Sequence, residues 1–334
     1  MPTCLYIAGS GRNGSTLLGL HLGRRTDVCF AGELTHIWRR GYLNDELCGC
    51  GEPFSRCEFW REVTRTAFGT WSERDTRHLL RLRDQVSDLR RIALPLATSP
   101  SRSSAEEAEY AAAYRALLAA IATVSAARVV VDSSKYPTDL AALLRTKAVP
   151  LRVVHLVRDC NAVVFSWKRK RLRPEIHWKT QLMPRYSALK TALGWRLFNA
   201  AIEQLARDPA HDLDGRYLRL RYEDLVASFP ETLAEICDWM GCPSAAAGAS
   251  DCMVHTVSGN PCRFELAPRQ IELDDEWRAR MSFFDRTLVA LVCGGAQRFY
   301  GYGGKNRNNI KEPGLERVGR LLHSATTSFT PVER

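Results

Sequence analysis

Near the start of the chain the apolar run Cys4–Ala8 meets the loop Gly9-Ser10-Gly11-Arg12-Asn13-Gly14-Ser15-Thr16, and an apolar helical pattern follows from Thr16. A strand, a glycine-rich loop and a helix in that order need a sheet of neighbouring strands to bury the first run. Three further β-branched runs supply them. Val129–Val131 ends at Asp132-Ser133-Ser134-Lys135-Tyr136-Pro137, with Pro137 where a helix starts; Val153–Val157 ends at Arg158-Asp159 and feeds a helical pattern through Ala162, Phe165 and Arg169; Tyr217–Leu220 ends at Tyr222-Glu223-Asp224. These four strands predict an α/β fold, a parallel β-sheet flanked by helices. Each closes on polar residues at its carboxyl end, the edge where such sheets bind ligands.

More than a hundred residues between the first two of these strands have another texture. Ser72-x-x-Asp75 reads as a capping box before Leu79, Leu82, Val86 and Leu89, and Ser104-x-x-Glu107 as one before Tyr110, Tyr114, Leu117 and Ile121. They predict a helical insertion over about residues 40–125, two amphipathic helices joined by the Ser/Pro-rich stretch 98–104, which would cover the site and shape acceptor binding. Gly194–Leu205, Pro230–Met240 and Asp274–Phe299 are further helix candidates. Residues 1–304 then make one domain and 305–334 a polar C-terminal tail. The most apolar long stretch, Ala111–Val131, is broken by Arg115 and Arg128 and does not span a bilayer. With no leader pattern and an odd count of 11 Cys, the expectation is a soluble cytoplasmic protein with reduced thiols.

The 47 Lys and Arg against 37 Asp and Glu give a formal charge of +10, and 39 of those cations are Arg, a composition suited to bidentate recognition of phosphate or sulfate oxygens. That charge fits a polyanion, an anionic membrane surface or a phosphorylated small molecule. The loop itself reads in three ways. As G-x-G-x-x-G it matches a dinucleotide fingerprint, with Glu33 near the place of the ribose-binding acid. As a Walker A loop it has Gly9, Gly14 and Thr16 in place, but Ser15 stands where the phosphate-gripping Lys belongs. In the third reading Arg12 supplies the cation, Gly14 lets backbone amides approach, and Ser15 and Thr16 donate hydroxyls at a helix N-terminus. Only the third uses every residue.

In this form the loop resembles the first signature of the sulfotransferases that use 3′-phosphoadenylyl sulfate (PAPS), an Arg-x-Gly-Ser/Thr-Thr-Leu loop for the 5′-phosphosulfate. Leu156-Val157-Arg158-Asp159 with Ser166 resembles the family's 3′-phosphate signature, Val131–Lys135 resembles its bacterial branch, Arg219–Leu225 its Tyr-Glu-Asp strand end, and His255–Phe264 a late nucleotide-contacting loop. Asn13 replaces the Ser that commonly follows the loop Arg. The resemblance implies a P-loop NTPase-like sulfotransferase fold and a PAPS-dependent transfer to a hydroxyl of a carbohydrate or other small molecule. It implies donor contacts from Gly11, Arg12, Asn13, Gly14, Ser15, Thr16, Arg158, Ser166, Tyr222, Gly259, Asn260 and Arg263. It also implies a catalytic Glu shortly after the loop, which falls on Glu33, with His36 a second candidate.

In such a transfer negative charge builds on the bridging oxygen while the acceptor loses its proton, so the site needs cations and a base. Arg12 and Lys135 are the expected cations, and the chemistry demands no metal. Cys48, Cys50 and Cys57 provide three local thiols where zinc normally takes four ligands. A distant Cys29 or His36 would have to complete a site, so the segment reads as reduced thiols or a disulfide formed on oxidation. His155, inside an apolar strand, reads as a core residue; His255 either contacts ligand or orders its loop. Trp38, Trp60, Trp71, Trp167 and Trp178 either line an acceptor cleft or belong to the core. The basic run Lys168–Arg173 raises local potential or forms a solvated face rather than a nucleic-acid site. Two alternatives remain beside the sulfotransferase: a P-loop-like nucleotide kinase and a non-catalytic phosphate- or nucleic-acid-binding protein.

Overall fold

The computed structural model describes residues 1–87, 104–242, 254–264 and 271–303. Leu89, the joint at 98–103 and the tail at 305–334 lie outside the described residues. The sheet has five parallel strands, β1 (Thr3–Ala8), β2 (Val28–Gly32), β3 (Val129–Lys135), β4 (Leu151–Val157) and β5 (Tyr217–Arg221), in the order β2-β3-β1-β4-β5. Four were expected. The fifth, β2, is the short run Val-Cys-Phe-Ala-Gly ahead of the stretch read as insertion, and it puts Glu33 at a strand end.

The sheet is buried on both faces. In β1, Cys4, Tyr6 and Ala8 join one core, while Leu5 and Ile7 join the other with Leu18 and Leu22 of α1 (Ser15–Leu22). The first core is covered by the helical insertion, α2 (Glu58–Phe68), α3 (Glu73–Val86) and α4 (Ala105–Ser125), with Trp38 and Trp60 fully buried in it. Both capping boxes are formed: the Ser72 hydroxyl accepts from the Asp75 amide and Ser104 from Glu107, and each acid returns to its cap. Leu79, Leu82, Tyr110, Tyr114, Leu117 and Ile121 point inward, as their spacing requires.

Pro137 opens α5 (Pro137–Thr146), and Asp159 caps α6 (Cys160–Lys168). The chain continues through α7 (Ala188–Arg207), α8 (Tyr222–Ala227) and α9 (Phe229–Trp239). The single helix expected over Asp274–Phe299 is two, α10 (Trp277–Arg280) and α11 (Phe283–Phe299). The break falls where the Ser282 side chain accepts from the Asp285 amide and starts a new helix. Among the described residues no helix is long and apolar enough to cross a membrane.

Candidate active site

Because all strands are parallel, the segments that leave their carboxyl ends share one edge of the sheet: Gly9–Gly14 after β1, Glu33 after β2, Arg158 after β4 and Tyr222 after β5, with Lys135 the last residue of β3. The chain reverses direction across the sheet between β1 and β4, and the loop sits at that crevice. The strand order argues against the dinucleotide reading, in which β2 is the neighbour of β1. Here β3 lies between them.

The loop is shaped by its own side chains. Asn13 is fully buried; its Nδ2 donates to the Leu156 carbonyl at 2.9 Å and its Oδ1 accepts from the Ser15 amide at 3.2 Å. Its amide group therefore staples the loop to β4, leaving its main chain as what it can offer a ligand. The Ser15 amide is thus held by Asn13, the Thr16 and Leu17 amides after it have no intrahelical partner, and Gly14, at φ +98°, precedes α1 without a side-chain cap of its own. Only glycine fits there, since an added Cβ would lie 2.3 Å from the Tyr222 ring. Arg12 lies over Trp167, 4.7 Å from the ring centre, with Nη2 2.9 Å from the Met183 sulfur and Nε without a partner among the described residues. Burial and neighbouring Arg171 lower its pKa to about 10, still a cation at neutral pH.

The end of β3 grips the segment that carries Glu33. The Asp132 carboxylate accepts from the Leu34 and Ser134 amides at 3.2 and 2.8 Å, Ser134 Oγ accepts from the Thr35 amide at 2.9 Å, and Ser133 Oγ donates to the Gly32 carbonyl at 3.1 Å. Asp132 is fully buried, and burial raises its pKa to about 6 against the pull of those hydrogen bonds. A register shift gives β3 one residue more than β1 before the Ala8–Lys135 pair, which re-aims Lys135. Its Nζ donates to Glu33 Oε1 at 2.6 Å and to the Ser133 carbonyl at 2.7 Å, and lies 3.5 Å from Ser15 Oγ. A lysine from the adjacent strand thus reaches the residue that stands at the Walker lysine position.

Glu33 Oε2 accepts from Ser258 Oγ at 3.2 Å, and Arg40 Nη1 donates to that hydroxyl at 2.8 Å. Burial alone would raise the Glu33 pKa, but Lys135, His36 and Arg40 outweigh it and hold the carboxyl at about 2. His36, the second candidate base, is half-buried with Nε2 3.5 Å from Glu33 Oε2; burial and Arg40 lower its pKa to about 3. Ser258 escaped the sequence reading as a partner of Glu33 because it lies 225 residues further along the chain.

Arg158, buried, extends its guanidinium over the Tyr222 ring at 4.5 Å and donates from Nη1 to the Arg12 carbonyl at 3.3 Å. Its Nη2 meets the Asp274 carbonyl at 3.2 Å and carboxylate at 3.4 Å, and its Nε has no partner among the described residues. Trp195 Nε1 holds the Arg158 carbonyl at 2.9 Å, and Glu223 accepts from the Asp159 amide at 3.1 Å, so α7 and the Tyr-Glu-Asp turn fix this strand end. Ser166 is buried on α6; among the described residues no hydrogen bond joins it to Arg158. In the late loop the Asn260 amide donates to Thr16 Oγ1 at 3.2 Å, and Gly259 lies beside the same side chain. Arg263 faces elsewhere: its Nη1 donates to the Thr256 carbonyl at 2.6 Å and its Nη2 to that of Leu47 at 2.9 Å, so this guanidinium ties two loops together.

His155 is the satisfied core residue expected, between Tyr217 Oη at 2.8 Å and Asn199 Oδ1 at 2.9 Å. Trp178 is half exposed. Much of the basic run is neutralised locally: Lys168 pairs with Asp285, Arg169 with Asp274 and Glu276, Arg173 with Glu46 and Glu175. Neither Cys29 nor His36 joins Cys48, Cys50 and Cys57; His255 does, its Nδ1 3.3 Å from the Cys57 sulfur.

Residues 5–246 match the model of the sulfotransferase family, a span that ends before the loop bearing His255, Gly259, Asn260 and Arg263. Similar solved structures include the sulfotransferase domain of the Synechococcus PCC 7002 olefin synthase, at 19% identity over 91% of this chain and 96% of that one, TM-score 0.45. The sulfotransferase domain from the curacin biosynthetic pathway is 16% identical over 98% of each chain, TM-score 0.43. Sulfotransferase STF1 of Mycobacterium tuberculosis H37Rv is 18% identical over 75% of this chain and 70% of that one, TM-score 0.39. No curated protein is a significant sequence match.

Proposed function

The chain belongs to the sulfotransferase family, and from that premise we propose that it moves a sulfuryl group from PAPS to a hydroxyl of a carbohydrate or other small-molecule acceptor, with Glu33 as base. The observation that carries this reading is the Lys135 ammonium, which touches the carboxylate of Glu33 and lies 3.5 Å from the Ser15 hydroxyl of the phosphate loop. One cation joins the anion-binding loop to a half-buried carboxylate whose pKa is driven down to about 2.

The residues fit such a donor. Two guanidinium groups, half-buried Arg12 and buried Arg158, each keep an Nε without a partner among the described residues, and the start of α1 opens beside them. Gly11–Thr16 with Lys135 would hold the 5′-phosphosulfate; Arg158, with Ser166 on the following helix and Tyr222 beneath it, would hold the 3′-phosphate. Gly259 and Asn260 border the loop through Thr16, whereas Arg263 serves the frame. The donor supplies an activated sulfuryl group. Glu33 takes the acceptor proton as the new S–O bond forms, while the bridging S–O bond breaks and its electron pair stays on the phosphate of adenosine 3′,5′-bisphosphate, next to Arg12 and Lys135.

Glu33 is ionised at neutral pH, so it can accept a proton, but the ion pair with Lys135 weakens it as a base. When Lys135 turns to the anionic donor the carboxylate is released, which couples basicity to donor occupancy. The test is transfer of radiolabelled sulfuryl from PAPS to a panel of hydroxylated acceptors. Label should move to at least one acceptor, and Glu33→Gln should lose most of that transfer while still binding the nucleotide. Transfer that survives intact in Glu33→Gln removes Glu33 from its role.

A further inference from the structure

We propose that Cys48, Cys50, Cys57 and His255 form a structural zinc site that clamps the helical insertion to the loop beside Glu33. The four candidate ligand atoms all lie within 4.8 Å of one another, although His255 is about two hundred residues distant in sequence. The Cys48 and Cys50 sulfurs each lie 3.7 Å from that of Cys57, and His255 Nδ1 lies 3.3 Å from Cys57 and 3.9 Å from Cys48. A tetrahedral zinc with bonds of about 2.3 Å to sulfur and 2.0–2.1 Å to nitrogen sets its ligand atoms about 3.8 Å apart for a sulfur pair and about 3.6 Å for sulfur and nitrogen. The edges to Cys57 and the Cys48–His255 edge lie close to those of that tetrahedron. A disulfide needs its sulfurs about 2.05 Å apart, and the spacings here are far longer.

The surroundings favour a closed structural site. Three thiolates and one imidazole complete the four positions, leaving none for water, and soft thiolate donors in this geometry select zinc. Cys48 and Cys57 are buried, Cys50 and His255 half-buried, and the His255 ring stacks on Phe59 at 4.8 Å. The turn is tight enough to bring Cys48 and Cys50 onto one centre. The Cys48 amide donates to the Glu52 carbonyl at 2.9 Å, the Gly51 amide to the Cys48 carbonyl at 2.9 Å, and a Cβ on Gly49 would come within 2.4 Å of the Val254 carbonyl and the Thr256 hydroxyl. The Gly49 amide donates to the Thr256 carbonyl at 3.0 Å, and Arg263 binds the carbonyls of Leu47 and Thr256 from the other side.

This clamp reaches the candidate base. Two residues after His255, the Val257 amide donates to the Ala31 carbonyl and its carbonyl accepts from the Glu33 amide at 2.7 Å; Ser258 then bonds the Glu33 carboxylate. A zinc ion here would hold that frame without touching substrate. The site stands on its own geometry, and its test does not depend on the reaction assigned above.

The experiment is elemental analysis of the full chain purified under reducing conditions without chelator, together with cobalt substitution by expression in zinc-depleted, cobalt-supplemented medium. The expected result is about one zinc per chain, and in the cobalt form an intense tetrahedral visible spectrum with thiolate-to-metal charge transfer. Cys50→Ala and His255→Ala should each lose most of the bound metal, while Cys29→Ala keeps it. The cobalt spectrum of the unaltered chain carries the test even where a ligand variant fails to fold. Protein without stoichiometric zinc that also lacks cobalt–thiolate charge transfer overturns the proposal, as does an intact mass two hydrogens light with the missing pair mapped to these cysteines.

Discussion

Arg158 Nη1 donates to the carbonyl oxygen of Arg12 across 3.3 Å, so the guanidinium that leaves β4 is bonded to the loop that leaves β1. The strand end that carries Arg158 and the loop that carries Arg12 are thus neighbours at the carboxyl edge of the sheet. Had they stood on separate faces, a donor with two anionic ends could not have bridged them.

Removing that guanidinium should weaken the nucleotide at its 3′-phosphate. A charge-assisted hydrogen-bond pair of about 2 kcal/mol corresponds to roughly 30-fold in affinity. Arg158→Ala is expected to lose about that factor for adenosine 3′,5′-bisphosphate while adenosine 5′-phosphate, which lacks the 3′ group, changes little. Equal losses for both ligands would show that Arg158 supports the loop instead of reading the phosphate.

The carboxyl of Glu33 titrates at about 2 in the folded protein against an ordinary 4.5. A carboxylate depressed in this way contributes stability that is complete above its unfolded pKa and is lost as pH falls through the folded one. The stability advantage of the wild type over Glu33→Gln, measured by urea unfolding, should be level from about pH 6 to 8 and shrink from about pH 5 toward 3. An advantage that widens on acidification contradicts the assigned direction.

Lys135→Met removes the largest opposing charge, so burial gains weight and the Glu33 pKa rises. Neither Glu33 nor His36, held at about 2 and about 3, changes charge near neutrality in the free wild type. The acid limb of kcat/KM should therefore move to higher pH in Lys135→Met, alongside a drop in kcat of roughly 10²-fold or more from the lost cation. An unmoved limb with the same drop leaves Lys135 acting on the donor alone.

Much of this architecture is legible in the sequence, because strands that end on Gly9, Lys135, Arg158 and Tyr222 announce their own carboxyl ends. The strand β2 was hidden: its five apolar residues show no alternation, and a run that short does not distinguish strand from helix. Glu33 was reached through a family resemblance, and its strand-end position supplies the physical reason for its place. His255 had no local signal as a partner of Cys48, Cys50 and Cys57, since only folding brings it there. Arg263 shows a limit of residue type: a buried arginine in a loop satisfies backbone carbonyls, here those of Thr256 and Leu47, as readily as phosphate, and sequence alone does not separate the two.

Gly14→Ala tests the shape of the loop. Its Cβ would meet the Tyr222 ring at 2.3 Å with φ at +98°, which costs about 1–3 kcal/mol in backbone strain alone. Thermal unfolding should shift down by several degrees and bisphosphate binding should fall beyond detection, because the ring that must yield also supports Arg158. Unchanged melting with unchanged binding would mean that Gly14 and Tyr222 are not in contact.

The most direct measurement is a calorimetric titration of the unaltered protein with adenosine 3′,5′-bisphosphate, run beside ATP and NAD. A sulfotransferase site built from Arg12, Lys135 and Arg158 should bind the bisphosphate one to one, about tenfold or more tighter than ATP, with no heat from NAD. Silence toward the bisphosphate together with saturable binding of ATP or NAD would contradict the assignment at its root.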